Sequence, residues 1–67
     1  MTKPMKYRDL ARALRAAGFQ PEPGKGDHEK WVAPDGSHVT IVRANEVSPG
    51  VTRQALLAIQ RQKESDR

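Results

Sequence analysis

Residues 28–42 read His28-Glu29-Lys30-Trp31-Val32-Ala33-Pro34-Asp35-Gly36-Ser37-His38-Val39-Thr40-Ile41-Val42. Two runs holding the β-branched and aromatic residues flank a Pro-Asp-Gly turn, which is the pattern of a hairpin. One strand is expected over residues 28–33 and the returning strand over 37–42. In the returning run Val39 and Ile41 alternate with His38 and Thr40, so one face of the hairpin is buried. Trp31 is the bulkiest group and is expected on that face. Stacking on a base is the alternative, but a chain this poor in aromatic residues needs Trp31 for its core. Pleating then puts His28, Lys30 and Val32 on the open face, where His38 reads as a solvent-facing residue.

Outward from the hairpin, residues 5–17 read as a helix. Tyr7, Leu10, Leu14 and Ala17 fall on one stripe, and Arg8, Arg12 and Arg15 share another side. Four alanines favour the helix, and Gly18 is its expected stop. Residues 19–22 follow as a short extended segment, limited by Pro21 and Pro23 to an edge position because proline cannot donate to a ladder. Residues 23–26 are a loop and residues 43–47 another. Ser48-Pro49 starts a second helix over residues 49–62, with Ser48 as N-cap and an apolar stripe of Val51, Ala55, Leu56 and Ile59. The polar end, residues 61–67, is expected to fray.

The order is helix, weak strand, strand, strand, helix. An α+β fold is expected, with both helices on one face of a three-stranded antiparallel sheet. A small double-stranded-RNA-binding domain (dsRBD) has the same order and size.

The chain has 67 residues, so the whole of it, residues 1–67, is expected to be one domain. A domain this small buries only about 60% of its unfolded surface, and its core is marginal. Without cysteine there is neither a disulfide nor a thiolate nucleophile or metal ligand. Apolar runs are too short for a membrane span or a signal-peptide core, so the cytoplasm is the expected setting. The net charge is +4 and is unevenly placed. Residues 1–15 hold five basic groups against Asp9 alone, whereas the remainder holds seven of each sign. A one-sided basic surface fits a polyanion, most often nucleic acid, although a solvated helix face reads the same way.

Chemistry concentrates in residues 24–31, Gly24-Lys25-Gly26-Asp27-His28-Glu29-Lys30-Trp31. Two glycines allow a tight loop and close approach to a phosphate, but the spacing is not that of a P-loop. His28 follows at the mouth of the strand, between Lys25 and Lys30. Asp27 and Glu29 are placed to orient the imidazole. This set suits cleavage of an RNA phosphodiester. A histidine moves the proton of the 2′-hydroxyl or of the leaving oxygen, and lysine stabilises charge on the phosphorane. RNA supplies its own nucleophile, so no metal or cofactor is expected, and DNA could not react this way. Asp27 and Glu29 lack an evident third ligand for a metal. Asp9 reads as an intrahelical ion pair.

These residues, in order, resemble the HicA toxin family. The similarity covers residues 5–60. It rests on Lys6-Tyr7-Arg8-Asp9-Leu10 with Leu14 and Ala17-Gly18-Phe19, on Gly26-Asp27-His28-Glu29-Lys30-Trp31 at the family's Gly-Ser-His motif, and on Pro34-Asp35-Gly36 at its hairpin turn. Val39-Thr40-Ile41, Arg43 and Glu46-Val47-Ser48-Pro49-Gly50-Val51 complete it. Asp27 stands where the motif has serine. The resemblance implies a dsRBD-like fold and a metal-independent mRNA endonuclease, the toxin of a type II toxin–antitoxin system. His28 would be its catalytic residue. It also implies a HicB-type antitoxin that covers the site, contact with operator DNA only through that antitoxin, and no membrane partner. Lys6, Lys25, Gly26, Lys30 and Arg43 are the expected RNA-binding residues, and the basic first helix is either RNA surface or antitoxin contact. A non-catalytic RNA-binding module of the same fold is the alternative. An interaction protein that only binds an antitoxin is a third reading.

Overall fold

The structure is a computed structural model and describes residues 3–65. Strands β2 (Gln20–Pro23), β3 (His28–Val32) and β4 (His38–Val42) form an antiparallel sheet in the order β2-β3-β4. Helices α1 (Tyr7–Ala16) and α2 (Pro49–Ser65) precede and follow it. This is the α+β, dsRBD-like arrangement expected from the sequence.

Register fixes the faces. Trp31 pairs with Val39 and Glu29 with Ile41, so these four share one side of the sheet. His28 pairs with Val42 and Lys30 with Thr40, and these four share the other. Trp31 and Ile41 are fully buried; His28, Lys30 and Thr40 are exposed. Leu10 and Leu14 of α1 and Ala55 and Ile59 of α2 join Trp31, Ala33 and Ile41 in one cluster, so both helices contribute to covering the same face. Phe19 and Val47 complete its buried members.

The turns follow their chemistry. The end of α1 is a Schellman motif: Phe19 N–H donates to Leu14 O at 2.9 Å and Gly18 N–H to Arg15 O at 3.0 Å. Between β3 and β4 the Asp35 carboxylate accepts from the Ser37 amide at 2.9 Å and from its hydroxyl at 2.6 Å. The Ser48 hydroxyl accepts from Val51 N–H at 3.4 Å, the expected N-cap of α2. In β2 both prolines fall on the same parity of an edge strand, where a missing donor is tolerated.

Three expectations are corrected. Residues 5 and 6 are not helical: Met5–Lys6 is a strand, β1, paired antiparallel with β5 (Glu46–Val47) in a segment read as loop. The cause is long-range. Val47 is buried, its carbonyl accepts from the buried Thr52 hydroxyl at 3.2 Å, and Tyr7 N–H reaches Asn45 O at 3.2 Å to satisfy an orphan donor of α1. Next, α2 does not end at residue 62 but runs to Ser65, with Gln62 largely buried. Of the polar end expected to fray, residues 66 and 67 lie outside the described residues. The third correction, the direction of Glu29, belongs to the site.

Candidate functional site: an exposed histidine and an arginine groove

His28 opens β3 at the end of a tight turn. Its N–H donates to Lys25 O at 3.0 Å. The turn needs Gly24 for space rather than for an unusual dihedral. A Cβ there would lie 2.4 Å from the carbonyl oxygen of His28, a contact no real side chain makes. Gly26 takes φ +58°, the left-handed conformation that glycine adopts without penalty. The turn is also tied across the sheet, since Arg43 N–H donates to Asp27 O at 2.8 Å. The imidazole thus stands on the open face. Lys30, two residues along the same strand, is on that face roughly 7 Å further on. Lys25 is exposed in the turn itself.

Glu29 does not orient His28. Pleating turns it to the opposite, core-facing side, where it is half-buried. Its Oε1 accepts from Trp31 Nε1–H at 2.8 Å and from the Tyr7 hydroxyl. Burial, and then the hydrogen bond to Glu29, push the Tyr7 hydroxyl above its ordinary pKa. Of the two carboxylates expected to flank the histidine, Asp27 alone remains on the exposed turn. Among the described residues no three His, Cys, Asp or Glu side chains converge as metal ligands.

Arginines surround Tyr7. The Arg43 guanidinium lies 6.0 Å from the Tyr7 ring centroid and the Arg15 guanidinium 5.6 Å from that of Trp31. Tyr7, Glu29, Arg8, Arg12, Arg15 and Arg43 line a groove of about 530 Å³. A second groove, of about 390 Å³, is lined by Tyr7, Gly26, Asp27 and Arg43 with Ala44 and Asn45. Lys6 lines a third with Tyr7 and Arg8.

The residues singled out in the sequence are therefore divided. Gly26 and Arg43 share a groove, Lys6 lines an adjoining one that shares Tyr7, Ala44 and Asn45 with it, and His28 and Lys30 occupy the open sheet face. Sequence reasoning left out Tyr7 as a site residue and held Arg12 and Arg15 only as part of a basic helix face. The arginine spacing along α1 was visible, but the approach of Arg43 to Tyr7 across the fold had no local signal. Asp9 contacts its neighbour Arg8 at 3.9 Å on an exposed surface, which is worth little.

Fold and site together define a small dsRBD-like α+β domain with an exposed histidine on its open sheet face and a basic first helix on the covered one. A family model described as the HicA toxin of bacterial toxin–antitoxin matches residues 7–61, and the chain belongs to the HicA toxin family. Searches of curated proteins and of solved structures found no match. Among the described residues no helix is long and apolar enough to cross a membrane.

Proposed function

We propose that this toxin is a metal-independent endoribonuclease that cleaves mRNA in the cytoplasm and is neutralised by a HicB-type antitoxin, which in turn carries it to operator DNA. The observation that carries the reading is His28: an exposed imidazole on a backbone locked by Gly24, Lys25 and the Arg43–Asp27 bond. A general acid or base must reach the proton it moves, and this one is open to a strand laid across the sheet face. In the reaction the RNA 2′-oxygen attacks the adjacent phosphorus as its proton is removed. The 5′-oxygen leaves as it gains a proton, and a 2′,3′-cyclic phosphate remains. His28 serves at one or both proton transfers, and Lys25, Lys30 and Arg43 offset phosphate charge. Lys6 and Gly26 extend the contact surface.

The test is incubation with labelled single-stranded RNA in EDTA, beside the His28→Ala variant. Cleavage by the parent and its loss in the variant is the expected result. RNA bound by both and cleaved by neither would replace this reading with a non-catalytic RNA-binding module. No affinity for RNA would leave an interaction protein.

A further inference from the structure

We infer that the arginine groove on α1 binds backbone phosphates of the RNA and leads the strand past Tyr7 and Arg43, over the Gly26–Asp27 turn, to His28. This inference rests on the ribonuclease reading and adds to it a second phosphate-binding region with a direction.

Three observations carry it. The first is an excess of positive charge. Among the described residues Arg12, Arg15 and Arg43 make no ion pair, and Arg8, Arg12, Arg15 and Arg43 line the groove with Glu29 as its one carboxylate. The second is preorganisation. Two of the guanidiniums lie over aromatic rings, Arg15 at Trp31 and Arg43 at Tyr7. A ring face holds a guanidinium by its plane and leaves the N–H edge free to donate in the fork that suits phosphate. The third is continuity. Arg43 and Tyr7 line both the α1 groove and the groove at Gly26 and Asp27, and His28 is the next residue. Arg8, Arg12 and Arg15 extend over roughly 10 Å of helix, enough for more than one phosphate. An acidic protein is the other polyanion such a groove could meet. The path from the arginines to the histidine motif favours the substrate.

The test is the salt dependence of binding to a labelled 2′-O-methyl oligoribonucleotide, which lacks the reactive hydroxyl and so stays intact. Each phosphate contact on a single strand contributes about 0.7 to the slope of log K against log salt. Arg12→Gln/Arg15→Gln should lower the slope by about 1.4. Between 50 and 200 mM salt the parent's affinity should therefore fall about sevenfold more than the variant's. Arg43→Gln should lower the slope by about 0.7. Arg53→Gln, exposed on α2, controls for net charge and should barely change it. Arg12→Gln alone, which removes no contact with a ring, guards against misfolding of the double variant and should still lose about 0.7. Slopes matching the Arg53 control, from a parent that binds and cleaves RNA, would overturn the groove and leave the ribonuclease intact. They would also point to the acidic protein as occupant. A parent that neither binds nor cleaves RNA would overturn both.

Discussion

The hydroxyl of Tyr7, the first residue of α1, donates to the carboxylate of Glu29, the second residue of β3, on the same oxygen that receives the indole N–H of Trp31. One half-buried carboxylate thereby fixes helix to sheet and satisfies two polar groups at the margin of the core. Removing it leaves both donors without their partner, whereas Tyr7→Phe removes one donor and keeps the ring. Glu29→Ala should cost roughly 2 kcal/mol and Tyr7→Phe about 1 kcal/mol. Trp31 is the chain's one tryptophan, so its fluorescence in a urea titration reads both. Two variants as stable as the parent would show that the carboxylate adds nothing to the fold.

The same bond has a pH signature. Burial, and then the Glu29 carboxylate, raise the Tyr7 hydroxyl above its ordinary 10.0. A raised folded-state value favours the protonated phenol. The stabilisation is fully present below the pKa of an unfolded tyrosine, near 10, and is lost as pH rises through the higher folded value. Tyr7 is the chain's one tyrosine, so an absorbance titration is unambiguous. Its midpoint should lie above 10.0 and fall towards it in Glu29→Gln. A midpoint at or below 10.0 in the parent would contradict the geometry.

Gly24 and Gly26 should separate cleanly. Alanine at 24 meets the His28 backbone at 2.4 Å and must displace it, so Gly24→Ala should cost about 2 kcal/mol or more. Alanine at 26 meets nothing within 4 Å and suffers only from φ +58°, at about 1 kcal/mol. Thermal denaturation of the two variants gives the order, and the reverse order would exclude the close approach.

At position 27 a carboxylate lies in the groove lined by Arg43 and beside His28. Asp27→Ser should raise affinity for the 2′-O-methyl oligonucleotide about threefold, roughly 0.6 kcal/mol, because a like charge is taken from the phosphate path. Titration by fluorescence anisotropy reads it. Unchanged affinity would place the strand away from residue 27.

Local pattern made the larger elements legible. Val39 and Ile41 declared the buried face, Pro34-Asp35-Gly36 the turn, and Ser48-Pro49 the start of α2. Met5 pairing with Val47 was not legible, because neither dipeptide is long enough to show a period and each depends on the other. The site divided in the same way. His28 and its lysines stood out as a cluster in the sequence. The role of Glu29 did not, because alternation along β3 separates it from the histidine it adjoins, and its partner Tyr7 lies on another element. Arg43 was legible as a binding residue, but its place over Tyr7 is a fact of three dimensions alone.

The bond from Arg43 N–H to Asp27 O binds the histidine turn through main-chain atoms only. Every amino acid supplies that carbonyl. The side chain at 27 is therefore released from architectural duty, and mutation can exchange serine for aspartate there without touching the scaffold. A substitution at this position changes the chemistry beside His28 at constant shape.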